Sequence, residues 1–132
     1  MSKASDPAIQ KYKATCSEML TISPRIRYAG IMNKFGRTLA GALRKGVVPL
    51  LKPEEARNEY FVEATRSQLR RNFEKSIGKA QYTFTENEKV KILTMSTEEH
   101  FFYITMDKET PPAEVAAIIE SAQRLARQGS KP

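Results

Sequence analysis

The chain is poor in the residues that carry most enzyme chemistry. Its 132 residues include one cysteine, one histidine and no tryptophan. A lone Cys16 excludes an internal disulfide and a multi-cysteine zinc site, and it fits a reducing compartment. On the apolar stripe of a helix it reads as a buried, inert thiol rather than a nucleophile. The lone His100 follows Thr97-Glu98-Glu99 in what reads as a turn, with no acidic residue in a recognisable relation to it. A Ser-His-Asp or Cys-His system therefore has no support. The glycines at 30, 36, 41 and 46 lack the spacing of a phosphate loop or a dinucleotide fingerprint. Glu98-Glu99 alone is too small a carboxylate set for a metal. No catalytic residue, metal or cofactor is expected. Apolar runs are only a few residues long, too short to span a bilayer. The first ten residues, MSKASDPAIQ, lack an apolar signal core, which predicts a cytoplasmic protein.

Acidic residues are also outnumbered. Lys and Arg total 22 against 15 Asp and Glu, a net charge of +7 with a pI near 9.6. That balance favours acidic partners, nucleic acid among them. The length is that of one domain, residues 1–132, with 128–132 as a loose tail.

The periodicities predict an element order. Asp6 as N-cap and Pro7 at the first helical position open a helix over 6–20, with Ile9, Tyr12, Cys16, Met19 and Leu20 on one face. Ser23-Pro24 ends it. Ile26, Tyr28, Gly30 and Met32 then fall on one face of a strand and Ala29 and Ile31 on the other, the pattern of a strand covered on both sides. Asn33-Lys34-Phe35-Gly36 reads as a turn with Gly36 at positive φ. Thr38–Leu43 returns, and Gly30 and Gly41 suggest bulges or the close approach of a helix. Pro53 opens a long helix that runs to about Ile77, where Gly78 stops it. At 1.5 Å per residue it is roughly 37 Å long. Three strands follow, over Gln81–Thr85, Val90–Ser96 and Phe101–Met106; the last, apolar on both faces, belongs at the centre of the sheet. Thr110 caps a final helix with Val115, Ile118, Ile119, Ala122 and Leu125 on its stripe.

This order, α-ββ-α-βββ-α, resembles the roadblock family of profilin-like α/β domains, which includes dynein light chains and small-GTPase regulators. The residues that carry the likeness are YAGIMNKFGRTLAGAL, the long second helix, EKVKILTMSTEEHFFYITMDKE and PPAEVAAIIESAQRLA. It extends over nearly the whole chain. The IRYAG…FGR…EKVK texture also resembles a group of uncharacterised archaeal proteins. The resemblance implies an α+β fold: a five-stranded antiparallel sheet with the long helix on one face and the terminal helices on the other. It further implies a homodimer in which the long helices lie antiparallel and edge strands, here Gln81–Thr85, pair across the axis.

The charge order of the long helix agrees with such a dimer. Glu54, Glu55, Glu59 and Glu63 precede Arg66, Arg70, Arg71, Lys75 and Lys79, so an antiparallel copy sets acid against base. The same order also complements the helix dipole within one chain. The expected interface comprises Glu59, Tyr60, Glu63, Arg66, Arg70, Phe73, Gln81, Thr83 and Thr85, with Phe61 and Leu69 adding apolar contact. A second constellation, Arg25, Arg27, Arg44 and Lys45, gathers at one end of the predicted hairpin. It reads either as a solvated rim or as a contact for an anion or an acidic partner.

The function expected is a non-enzymatic protein-interaction module, a scaffold or regulator, with an acidic protein or small GTPase as partner. The alternatives are a nucleic-acid-binding protein and a profilin-like small-ligand sensor.

Overall fold

A computed structural model describes residues 6–129 of the chain. Helix α1 spans Pro7–Thr21, and its N-cap is Asp6, whose carboxylate accepts a 2.8 Å hydrogen bond from the Ala8 N–H. This satisfies one of the donors that every helix start leaves over. Strands β1 (Ile26–Asn33) and β2 (Thr38–Leu43) form the predicted antiparallel hairpin. In its turn the Gly36 N–H donates to the Asn33 carbonyl at 2.9 Å, and Gly36 has φ 91°. The Asn33 side chain accepts from the N–H groups of Phe35 and Arg37. A Cβ at position 36 would stand 2.8 Å from the Tyr60 carbonyl oxygen. The turn therefore docks on the middle of the long helix, and glycine is required there for its φ and for its size.

The long helix is less regular than its sequence suggests. Helix α2 covers Pro53–Arg70, a 3₁₀ turn covers Arg71–Phe73, and α3 covers Glu74–Ile77. Tightening into 3₁₀ geometry is common near helix ends. Gly78, at φ 84°, stops the run as expected.

Strands β3 (Thr83–Glu86), β4 (Val90–Ser96) and β5 (His100–Asp107) complete the sheet. The order is β2-β1-β5-β4-β3 with every pairing antiparallel, so β5 is central as its two apolar faces predict. Two of the predicted boundaries change. Gln81 lies outside β3, and His100 is the first residue of β5, paired with Asn33 and buried, rather than a turn residue.

The sheet separates two apolar layers. Helices α1 and α4 (Pro112–Gly129) cover one face, where Cys16, Met19, Ile31, Phe102, Ile104 and Ile118 pack together. Helix α2 covers the other over Met32, Ala64, Ile92, Phe101 and Tyr103. Consecutive β5 residues therefore serve opposite layers, which is the two-residue period of a strand buried on both sides.

Four local expectations are corrected. Ile26 packs with Ala29 and Ile31, not with Tyr28, because a register shift against β5 between Ile26 and Tyr28 turns it to the other face. Gly30 and Gly41 face each other across the hairpin, but what approaches them is the Tyr28 side chain, not a helix or a bulge. A Cβ on Gly30 would lie 2.6 Å from its hydroxyl, and one on Gly41 would meet the same oxygen. Thr110 does not cap α4: its hydroxyl donates to the Asp107 carbonyl at 2.7 Å, and the helix begins at Pro112. That helix continues to Gly129, so positions 128 and 129 are helical rather than a loose tail. The rest of that expected tail lies outside the described residues.

Candidate functional site

Helix α2 carries two faces. Toward the sheet it sends Ala56, Tyr60, Glu63, Ala64 and Ser67, of which Ala64 is fully buried. The Tyr60 ring meets the Tyr103 ring edge-on, with centroids 5.0 Å apart. The Tyr103 hydroxyl donates to Glu59 Oε2 at 2.8 Å. Glu63 is half-buried beside Arg66, at 3.9 Å, and burial raises its pKa above the ordinary carboxylate range. Away from the sheet α2 shows Phe61, Val62 and Leu69, and the 3₁₀ turn after it shows Phe73, exposed by 63, 55, 59 and 49%. Val62, Leu69 and Phe73 recur at i, i+7 and i+11, with the exposed Thr65 between them at i+3, so they form one stripe.

This divides the residues the sequence singled out for association. Glu59, Tyr60 and Glu63 belong to the sheet side and have intramolecular partners. Arg66, Arg70 and Phe73 are exposed, with the Arg70 guanidinium 5.1 Å above the Phe73 ring. Thr83 and Thr85 lie on β3, the edge of the sheet, whose outer side pairs with no strand among the described residues. Gln81 is exposed just before it. Val62 was missed, although its spacing from Leu69 was visible in the sequence.

The hairpin-end cations are engaged within the chain. Arg25 pairs with Glu114 at 3.1 Å. Arg27 pairs with Asp107 at 3.6 Å and donates to the Val48 carbonyl. Arg44 donates to the carbonyls of Leu20, Ser23 and Ile26. They stitch α1, the hairpin and α4 together, which leaves Lys45 as the exposed member. The sequence places these cations together correctly but not their acceptors, which come from distant segments.

Two grooves flank α2. Beside its C-terminal half, a polar groove of about 410 Å³ is lined by Lys34, Arg66, Arg70, Arg71 and Lys79, with Glu74, Glu98 and Glu99 opposing. Beside its N-terminal half, an apolar groove of about 770 Å³ opens between α2, the connector 44–52 and the sheet. Its floor carries Tyr28, Tyr60 and Tyr103, and burial raises the pKa of all three, which keeps their hydroxyls protonated.

Elsewhere, Cys16 is wholly buried and its thiol is pushed up to about 12 by burial. His100 packs against Tyr12 and Phe102, its Nε2 has no hydrogen-bond partner among the described residues, and burial lowers its pKa. Among the described residues no group of three His, Cys, Asp or Glu side chains is placed to hold a metal, and no helix is long and apolar enough to cross a membrane.

The arrangement has structural counterparts. The gliding protein MglB from Thermus thermophilus superposes with a TM-score of 0.73 at 16% identity, covering 94% of this chain and 91% of that one. MglB of Myxococcus xanthus gives 0.70 at 13% identity over 96% of each chain. A Roadblock/LC7 domain from Streptomyces avermitilis gives 0.59 at 13%, covering 87% of this chain and 97% of that one. At such identities the likeness shows the fold, which is that of the roadblock and profilin-like domains. Among curated protein sequences none matches this chain. A family model described as a family of unknown function, DUF6659, matches residues 5–124, and the chain belongs to that family.

Proposed function

We propose that the protein is a non-enzymatic interaction module that works as a homodimer, two copies joined through the outer face of α2 and the open edge of β3. The observation that carries this reading is the unpartnered apolar stripe of Val62, Leu69 and Phe73 on a helix whose opposite face is already packed. Exposed apolar surface of that kind marks association. Among the described residues no strand pairs with the outer side of β3, and Thr83, Phe84 and Thr85 bring neither charge nor proline to it, the charge of Glu86 at its end being paired with Lys91.

Charge selects the orientation. Glu54 and Glu55 lie at the start of α2, and Arg66 and Arg70 near its end. A second copy crossing antiparallel near Val62 sets Glu55 against the partner's Arg70, whereas a parallel copy sets like against like. Exposed pairs contribute about 0–1 kcal/mol each, so the apolar stripe supplies the affinity. MglB has been solved with a tetrameric arrangement, a precedent for self-association on this fold.

As a scaffold or regulator the dimer needs a further partner. The basic groove of Lys34, Arg66, Arg70 and Lys79 favours an acidic one, and a small GTPase is the class the roadblock resemblance implies. Size-exclusion chromatography with light scattering at tens of micromolar tests the dimer directly. A mass of twice 15.0 kDa is expected, and a monomer would refute the reading.

A further inference from the structure

From the geometry we infer that the apolar groove at the N-terminal half of α2 is a binding site for a small amphipathic cation, an apolar body with one amine or quaternary ammonium head. The inference does not depend on the dimer. The groove, about 770 Å³, is of the size that holds a small ligand, and Leu43, Leu50, Leu51, Val90 and Ile92 supply apolar walls.

Its polar groups decide the ligand's charge. Glu59 stands on the wall with Oε2 accepting the Tyr103 hydroxyl, and among the described residues no ion pair engages its carboxylate. This is an uncompensated negative charge beside apolar surface, in a chain of net charge +7. Glu55 also lines the groove, but in the proposed dimer it faces the partner's Arg70, so Glu59 alone carries the charge argument. The one lining cation, Arg27, is held at the rim by Asp107 and the Val48 carbonyl. An anionic head would meet repulsion here, and a neutral one would leave Glu59 without a counter-charge. A cation gains the carboxylate and the partly exposed rings of Tyr28 and Tyr60, whose electron-rich surfaces attract ammonium groups. Tyr103 lies beneath them, almost wholly buried.

The test is a ¹⁵N NMR titration of the full chain with hexyltrimethylammonium, hexan-1-ol and hexanoate, which share an alkyl length and differ in head. The cation is expected to bind at least about tenfold more tightly than the other two, shifting resonances of residues 28, 59, 60 and 103. Glu59→Gln keeps an acceptor for the Tyr103 hydroxyl and removes the charge, and is expected to weaken the cation about fivefold or more. Leu50→Ser, at an exposed wall position, provides a variant outside the packed core and is expected to weaken all apolar probes. Equal affinity for the three heads, unchanged binding in a folded Glu59→Gln protein, or shifts confined to other surfaces would overturn the site. Light scattering on the same samples reads the oligomeric state separately, so failure here and failure of the dimer are distinguishable.

Discussion

The Tyr103 hydroxyl donates a 2.8 Å hydrogen bond to Glu59, fastening the central strand β5 to helix α2. Tyr103 is almost wholly buried, and its ring also meets Tyr60 edge-on. A hydrogen bond to a charged acceptor contributes about 1.5–3 kcal/mol. Tyr103→Phe keeps the ring and removes the bond, so it is expected to lower stability by about 1.5 kcal/mol. In urea unfolding this appears as a lower midpoint at unchanged slope. An unaltered midpoint would show that the bond contributes nothing net.

The hairpin glycines make a second coupling. The Tyr28 side chain occupies the space over Gly30 and Gly41 that a Cβ would need. Gly41→Ala is expected to cost about 1–3 kcal/mol by overpacking. In a Tyr28→Ala background the same change is expected to be close to neutral, since its obstacle is gone. The double-mutant cycle then shows a coupling of about 1 kcal/mol or more; simple additivity would refute the contact.

His100 predicts an acid sensitivity. Its pKa in the fold lies below the ordinary value of 6.5, because burial penalises the imidazolium, with Glu99 opposing weakly. The unfolded chain therefore takes up the proton first. The stability this group provides is complete above about pH 6.5 and is lost as pH falls below that value. Glu63, whose pKa is raised, titrates in the opposite sense, so the comparison must be subtractive. The drop in urea midpoint from about pH 7 to about pH 5 is expected to be larger in the native sequence than in His100→Gln. Equal drops would dismiss the histidine as the sensor.

The proposed dimer predicts that substitutions on the outer stripe of α2 separate its subunits without unfolding them. Val62→Glu and Leu69→Glu change exposed positions, and each is expected to weaken the proposed dimer by about 100-fold through desolvation of a charge within the interface. Reversing Arg66 and Arg70 to Glu is expected to weaken it less, about tenfold, because rim charges steer more than they bind. Sedimentation velocity gives the dissociation constants, and circular dichroism confirms the fold.

Cys16 has no exposed surface and a thiol held near 12. It is expected to resist iodoacetamide at about pH 8 in native protein and to react at once in concentrated guanidinium, because only the thiolate is nucleophilic. Rapid labelling of the native form would place α1 away from the sheet.

The outer face of α2 shows where a one-dimensional pattern stops being informative. The sequence places Tyr60 and Phe61 side by side on a helix that is apolar on two flanks, and periodicity alone does not say which flank turns inward. Packing chooses Tyr60, because Ala64 one turn on allows close approach to the sheet while Tyr103 waits below. Phe61, Leu69 and Phe73 are left outside. Similarly, Arg25, Arg27 and Arg44 look like a free basic cluster until Glu114, Asp107 and the carbonyls of Leu20, Ser23 and Ile26 arrive beside them.

What the chain determines locally is the element order. Asp6-Pro7, Asn33–Gly36, Pro53 and Gly78 punctuate it through backbone chemistry that operates within a few residues, and the doubly apolar His100–Asp107 strand takes the centre of the sheet because both its faces must be covered. Only the tertiary structure decides what the surfaces offer: the register shift that turns Ile26 to the other face, the groove over Tyr28, Tyr60 and Tyr103, and the Glu59 carboxylate, which no cation engages among the described residues. These depend on contacts between residues tens of positions apart, whose spacing along the chain carries no trace of their distance in space.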